Sequence, residues 1–213
     1  MSKERTDYLL DLNEILGSKM SAKLPGFAKR FLRKRLHMDQ INDCIMKAEH
    51  YAGAGFFDEA LNYIGITYKT RGEENLDLSK NYIFACNHPL GGPEALIIGS
   101  VFRRIYGDGF KVPANQILYN MKPLQEFFVP VKVQAGRQSR DIADRFTQMF
   151  ESDCQVLVFP AGLCARTFKG VITEMPWKKM FITQARKYER DVVPVHISGH
   201  NSKWYFFLSW LSR

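Results

Sequence analysis

IFACNHPLGGPEALIIG, residues 83–99, is the stretch on which the fold turns. An apolar run stops at Asn87-His88-Pro89. A Gly91-Gly92 pair follows, and Pro93-Glu94 open a second apolar run. YIFAC (82–86) has the length and the aromatic and β-branched content of a buried strand. PEALIIGSVFRRIYG (93–107) has helical length, proline at its start and glycine at its end. A strand that leads through a polar turn straight into a helix is the repeating unit of an α/β protein.

The alternation continues downstream. FKVP (110–113), FFVPVKV (127–133), QVLVFP (155–160) and DVVPVHI (191–197) read as strands. SRDIADRFTQMFES (139–152), with Ser139 at its N-cap, and WKKMFITQARKYER (177–190) read as helices. Pro130 puts FFVPVKV at an edge or a bulge. Upstream, apolar residues spaced by three and four predict helices over 6–16, 23–37, 39–52 and 56–65, and ITYKTRG (66–72) reads as the first strand. The expected fold class is α/β, a mostly parallel central sheet flanked by helices, behind an N-terminal helical region. The division falls as 1–63 and 64–213. The ending WYFFLSWLSR looks like a helix cut short, so the α/β region is expected to be truncated at its C-terminus.

The bulk numbers set bounds. With 213 residues, 46% hydrophobic and 24% charged, the chain has the make-up of an ordinary globular domain. A net charge of +8 and a pI near 9.3 point to an anionic partner: nucleic acid, a phospholipid surface or an acidic carrier. Cys44, Cys86, Cys154 and Cys164 form no C-x-x-C pair, which argues against a zinc site and a disulfide framework and for a reducing compartment. The start, MSKERTDYLL, is not a signal peptide, and no run approaches the ~20 apolar residues of a membrane span. A chain of this kind is soluble or lies on a surface.

The opening turn carries the chemistry. Parallel sheets bind ligands at the carboxyl ends of their strands, and YIFAC delivers Asn87 and His88 there. Gly91 and Gly92 allow a tight turn and a close approach of substrate. Glu94, six residues after His88, is placed to accept a hydrogen bond from one imidazole nitrogen and leave the other free to take a proton. No Ser or Cys lies in this turn, which favours direct attack by a substrate hydroxyl over a covalent intermediate. The plainer alternative is that His88 caps a strand and Glu94 caps a helix. The glycines make neither a P-loop nor a G-x-G-x-x-G fingerprint.

Taken with three further blocks, NHPLGGPE resembles the first motif of the glycerolipid acyltransferases, the family of the 1-acylglycerol-3-phosphate acyltransferases. It is similar to the N-H-P-L-G-G-x-D form of a Bacteroidetes-type branch, with Glu94 where that branch has Asp and Pro93 where the commoner spacing places it. FPAGLCAR (159–166) resembles the third block, usually F-P-E-G-[TS]-R, with Ala161 for the Glu. VVPVHISG (192–199) resembles the fourth, and FFVPVKVQAGRQSR (127–140) is the candidate for the second. The resemblance spans residues 64–203.

It implies transfer of a fatty acyl chain from acyl carrier protein or coenzyme A to a lysolipid hydroxyl, in membrane lipid synthesis, with no metal or cofactor beyond the thioester co-substrate. The acceptor is lysophosphatidic acid or an N-acylated amino acid. His88 and Glu94 become base and orienting acid. Asn87, Gly91, Gly92, Phe159, Pro160, Ala161 and Gly162 become substrate-binding, and Lys132, Arg137 and Arg140 hold an anionic head group. Cys164, inside the third block, is expected to be a small packing residue. A catalytically impaired lipid-binding relative and a lipid (thio)esterase using the same histidine are the alternatives.

Lys19, Lys23, Lys29, Arg30, Arg33, Lys34 and Arg35 stand opposite Leu24, Phe27, Ala28, Phe31, Leu32 and Leu36 at helical spacing. Such a helix either docks on an anionic membrane or packs its stripe on the sheet. A membrane partner and a peripheral place on the inner face of the cell membrane are expected. No zinc finger, RNA-recognition signature or helix-turn-helix supports nucleic acid.

Overall fold

The structure is a computed structural model and describes residues 11–13, 22–35, 37–48, 53–119, 121–131, 139–168, 171–202 and 206. Most of the helix expected over 6–16, together with Lys132, Arg137 and most of the WYFFLSW tail, lies outside the described residues. Helices α1 (Gly26–Arg35), α2 (Met38–Ala48) and α3 (Gly55–Ile64) come first. The chain then runs β1 (Tyr82–Cys86), α4 (Gly92–Tyr106), β2 (Phe110–Asn115), a short α5 (Gln116–Tyr119), β3 (Phe128–Val131), α6 (Arg140–Glu151) and β4 (Gln155–Val158). A small hairpin, β5 (Arg166–Phe168) with β6 (Val171–Thr173), precedes α7 (Met180–Lys187) and β7 (Asp191–Val195).

Five strands form one parallel sheet in the order β3-β2-β4-β1-β7. All five residues of β1 are buried, because alternate side chains of a strand feed opposite faces. Tyr82, Phe84 and Cys86 join a core with α3 and α4, built around Phe57, Phe102, Phe110 and Phe127. Ile83 and Ala85 join a second core with Phe150 of α6 and Phe181 of α7. Gly99 lets α4 close on α3: a β-carbon there would lie 2.4 Å from the Phe57 ring.

The sheet order fixes where a ligand belongs. From β1 the chain crosses through α4, on one face, to β2. From β4 it crosses through α7, on the other face, to β7. β1 and β4 are neighbours, in register from Ile83 opposite Val156 to Ala85 opposite Val158. Their connections therefore part at their carboxyl ends, and the crevice of a parallel sheet opens at such a switch point.

One expectation is corrected, and one of two alternatives falls away. ITYKTRG is not a strand. Both sides of β1 are already taken by β4 and β7, and Tyr68 turns its hydroxyl to Ser100 of α4 at 2.7 Å, so the segment lies along the helical layer. The basic helix does not pack its stripe on the sheet. Helix α1 rests against α2, none of its residues is buried, and Phe27 and Phe31 stand 79% and 49% exposed. Ser139 does occupy the N-cap position of α6, without a side-chain cap. Strand β3, with Pro130, is an edge strand. Among the described residues no helix is long and apolar enough to cross a membrane.

Candidate active site

His88 leaves the end of β1 at the switch point, and its partners converge from four segments. Its Nδ1 lies 2.5 Å from Glu94 Oε1. A carboxylate only accepts, so Nδ1 carries the proton and Nε2 is the basic nitrogen of the neutral ring. The same Oε1 accepts the backbone N–H groups of Gly91 at 2.8 Å and Leu90 at 3.1 Å. Glu94 is the third residue of α4, so it half-completes a capping box while it holds the imidazole. The residue that caps the helix is also the one that holds the imidazole. Glutamate's extra methylene and the five-residue gap still bring the pair into contact.

The imidazole is 17% exposed and the Glu94 side chain is wholly buried. Glu94 Oε2 has no hydrogen-bond partner among the described residues, an uncommon state for a buried polar atom. Burial opposes protonation of His88, but Cys164 and Glu94 outweigh it, and the pKa is pushed up to about 9.

The third block closes the site from β4. Phe159 stacks on His88 with ring centres 4.4 Å apart. Ala165 N–H donates to His88 O at 2.8 Å. Between them the chain carries Cys164, whose Sγ is 3.5 Å from His88 Nε2. Gly91, at φ 94°, is the other wall: only glycine adopts this backbone cheaply, and a β-carbon there would sit 3.2 Å from Cys164 Sγ. Pro160 and Ala161 are buried. Lys178 binds back to Pro160 O through its N–H at 3.0 Å, and its Nζ would lie 3.1 Å from a β-carbon on Gly162.

Further contacts come from later in the chain. Glu174, just past the β5–β6 hairpin, accepts His88 N–H at 2.6 Å. Asn201 Nδ2 donates to Pro89 O and Leu90 O at 3.0 and 3.1 Å. The Asn87 amide is committed to Ile197, accepting its N–H at 2.7 Å and donating to its carbonyl at 2.9 Å. Asn87 thus ties the end of β1 to the segment beyond β7. Arg140 begins α6 beyond β3 and is exposed. Strand β3 lies three strands from β1, roughly 14 Å at ~4.8 Å per strand.

Sequence reading missed Glu174, Asn201 and Lys178, and it took Cys164 for packing. The only local signal was the place of Cys164 inside the third block.

Comparison with known proteins bears on this geometry. The chain matches the family model described as Acyltransferase over residues 13–213. It is 35% identical over 205 residues to a lyso-glycine lipid O-acyltransferase of Bacteroides thetaiotaomicron, covering 95% of this chain and 75% of that one. It is 31% identical over 205 residues to a lyso-glycine lipid O-acyltransferase of Phocaeicola vulgatus, covering 95% and 73%. No solved structure matches.

Proposed function

The chain belongs to the acyltransferase family, and from that premise we propose that it moves a fatty acyl group from a thioester to a lysolipid hydroxyl with His88 as general base. The observation that carries this is the His88–Glu94 contact at the switch point, which fixes Nδ1 as the protonated nitrogen and leaves Nε2 as the basic one. Nε2 takes the acceptor's hydroxyl proton as its oxygen attacks the acyl carbonyl, and gives it to the departing sulfur. Glu94 orients the ring and stabilises the imidazolium that forms. Asn87 and Glu174 hold the backbone of the turn. The N-terminal end of α4 presents its positive dipole end to the developing oxyanion.

Both named relatives carry lyso-glycine lipid in their names, so an N-acylated amino acid is the leading acceptor and lysophosphatidic acid the second. Lys178 over Gly162, and Arg166, whose buried Nε has no partner among the described residues, suit the acceptor's anionic head. Lys132, Arg137 and Arg140 are the further cations proposed for that head group. The donor is a thioester of acyl carrier protein or coenzyme A.

Reaction at a membrane surface accounts for two exposed apolar features. On α1, Phe27 and Phe31 stand out among Lys29, Arg30, Arg33, Lys34 and Arg35. Phe168, Val171 and Ile172 of the hairpin are 46–64% exposed. Exposed apolar groups beside cations suit anionic lipid. We place the enzyme peripherally on the inner face of the cell membrane.

The test incubates purified protein with palmitoyl-acyl carrier protein or palmitoyl-coenzyme A, alone and with lyso-glycine lipid or lysophosphatidic acid. Acceptor-dependent diacyl product, lost in His88→Ala, is expected. Turnover retained in His88→Ala overturns the mechanism, and free fatty acid formed regardless of acceptor makes the protein a hydrolase.

A further inference from the structure

We propose that the β5–β6 hairpin is the part of this protein that enters the lipid surface, an anionic bilayer, and that it does so beside His88, so that the acceptor is taken directly from that bilayer. This rests on the membrane reading above and deepens it. It is independent of the chemistry assigned to His88.

Both feet of the hairpin stand on His88. Ala165, one residue before β5, donates its N–H to His88 O at 2.8 Å. Glu174, one residue after β6, accepts His88 N–H through Oε1 at 2.6 Å. Whatever the hairpin touches is therefore held next to the base. The two strands pair with each other and not with the five-stranded sheet. Each is three residues long, roughly 10 Å at ~3.4 Å per residue. Interfacial elements sink about 5–10 Å into a bilayer, so the hairpin has the right reach.

The pattern of exposure selects the partner. Val171 pairs with Phe168, and Ile172 with Thr167. Opposed residues of an antiparallel pair share a face, and successive residues alternate between faces. Val171 and Ile172 therefore lie on opposite faces of the hairpin, and they are 64% and 46% exposed. A hairpin docked on a protein surface hides one face. One that shows aliphatic side chains on both suits a medium that surrounds it, as hydrocarbon does. The adjoining chain fits the same partner. Leu163, Met175 and Trp177 are exposed. Trp177 sets its ring against Phe181 of the second core, centres 5.9 Å apart, the half-buried placing that suits tryptophan at head-group level.

Charge supplies the sign of the surface. Residues 163–188 carry six Lys or Arg and one acid, more than half of the chain's net +8. The acid is Glu174, whose carboxylate is turned in to His88, while Lys178 and Lys179 are exposed. Cations around an apolar tip are drawn to anionic head groups. An acidic carrier protein would meet the same charge, but it would cover a single face of the hairpin.

The experiment sediments the full chain with phosphatidylcholine vesicles, with and without phosphatidylglycerol. Wild type should pellet with the anionic vesicles and far less with the neutral ones. Val171→Asp/Ile172→Asp should bind the anionic vesicles at least ~10-fold more weakly, with its circular dichroism melt unchanged. Val171→Trp should carry its new fluorophore into the bilayer, where lipids brominated along the acyl chain quench it. With lyso-glycine lipid presented in the same vesicles, the aspartate pair should raise the acceptor KM by a similar factor and leave kcat in place. Wild type that stays in solution with anionic vesicles overturns the inference. Binding as tight as wild type in the aspartate pair overturns it too, and its loss in Phe27→Asp/Phe31→Asp then gives the seat to α1. An unquenched Val171→Trp on vesicle-bound protein has the same force. So does normal vesicle binding by the aspartate pair with a raised KM for palmitoyl-acyl carrier protein, which makes the hairpin a carrier dock. His88→Ala should bind vesicles like wild type, so a failed base and a failed seat give different results.

Discussion

The two edges of the sheet both hold buried polar side chains, and they treat them in opposite ways. At the amino edge, buried Arg190 donates to Cys154 O at 2.6 Å and to Ser152 O. Gln155, also buried, accepts Tyr82 N–H at 2.8 Å and donates to Lys80 O at 3.1 Å. These groups stitch together the backbone where β1, β4 and β7 begin. A cavity of about 650 Å³ opens here, but the two cations that line it are tied up, Lys80 with Asp191 at 2.9 Å and Arg190 with two carbonyls. At the carboxyl edge, Glu94 keeps an oxygen without a partner among the described residues, and His88 Nε2 meets only a weak sulfur partner at 3.5 Å. One edge spends its polar groups on holding strands in place. The other leaves polar atoms under-satisfied, and that difference, more than cavity size, is what favours the carboxyl edge as the candidate site.

The sharpest way to break the comparison is His88→Ala. We expect kcat to fall ~10²–10⁴-fold, the range of a general base, with little change in melting temperature. Glu94→Gln should fall at the lower end of that range, because the ring remains but its orientation weakens. The pH profile sharpens this. The base works only when unprotonated, so wild-type kcat/KM should rise with pH through about 9. Glu94 helps raise that pKa, so its removal should move the rising limb to lower pH. An unmoved limb would detach Glu94 from the base.

At the other edge the readout should be stability. Arg190→Met leaves two carbonyls without their donor and should cost about 2–4 kcal/mol, a fall in melting temperature of roughly 5–15 °C, with kcat of the folded enzyme intact. If instead it lowers kcat and spares the melt, the division of labour between the edges is wrong. Smallest of all, Lys80→Ala removes an exposed ion pair with Asp191, and both melt and activity should stay within measurement error.

How much of this was legible depended on distance along the chain. YIFAC, the turn and α4 could be read because strand, cap and helix signals are local. The His88–Glu94 pair was legible for the same reason, six residues apart across one turn. Glu174, Asn201 and Cys164 reach the turn from 76 to 112 residues away, and no spacing rule connects them to His88. ITYKTRG misled because an extended, β-prone segment has the same composition whether or not a strand is free to pair with it. The stripe on α1 was ambiguous because an apolar face is written identically for a sheet and for a membrane.

By itself, the sequence determined the α/β alternation, the family blocks, and a histidine with its acid at a strand end, since each rests on residues near one another in the chain. The tertiary structure decided the rest. It set β4 beside β1 with their crossovers on opposite faces, and so brought the third block's thiol to the free nitrogen of His88. Strand order is a choice among sheet pairings that the local pattern leaves equal. It is settled only when both faces of β1 must find a core at once.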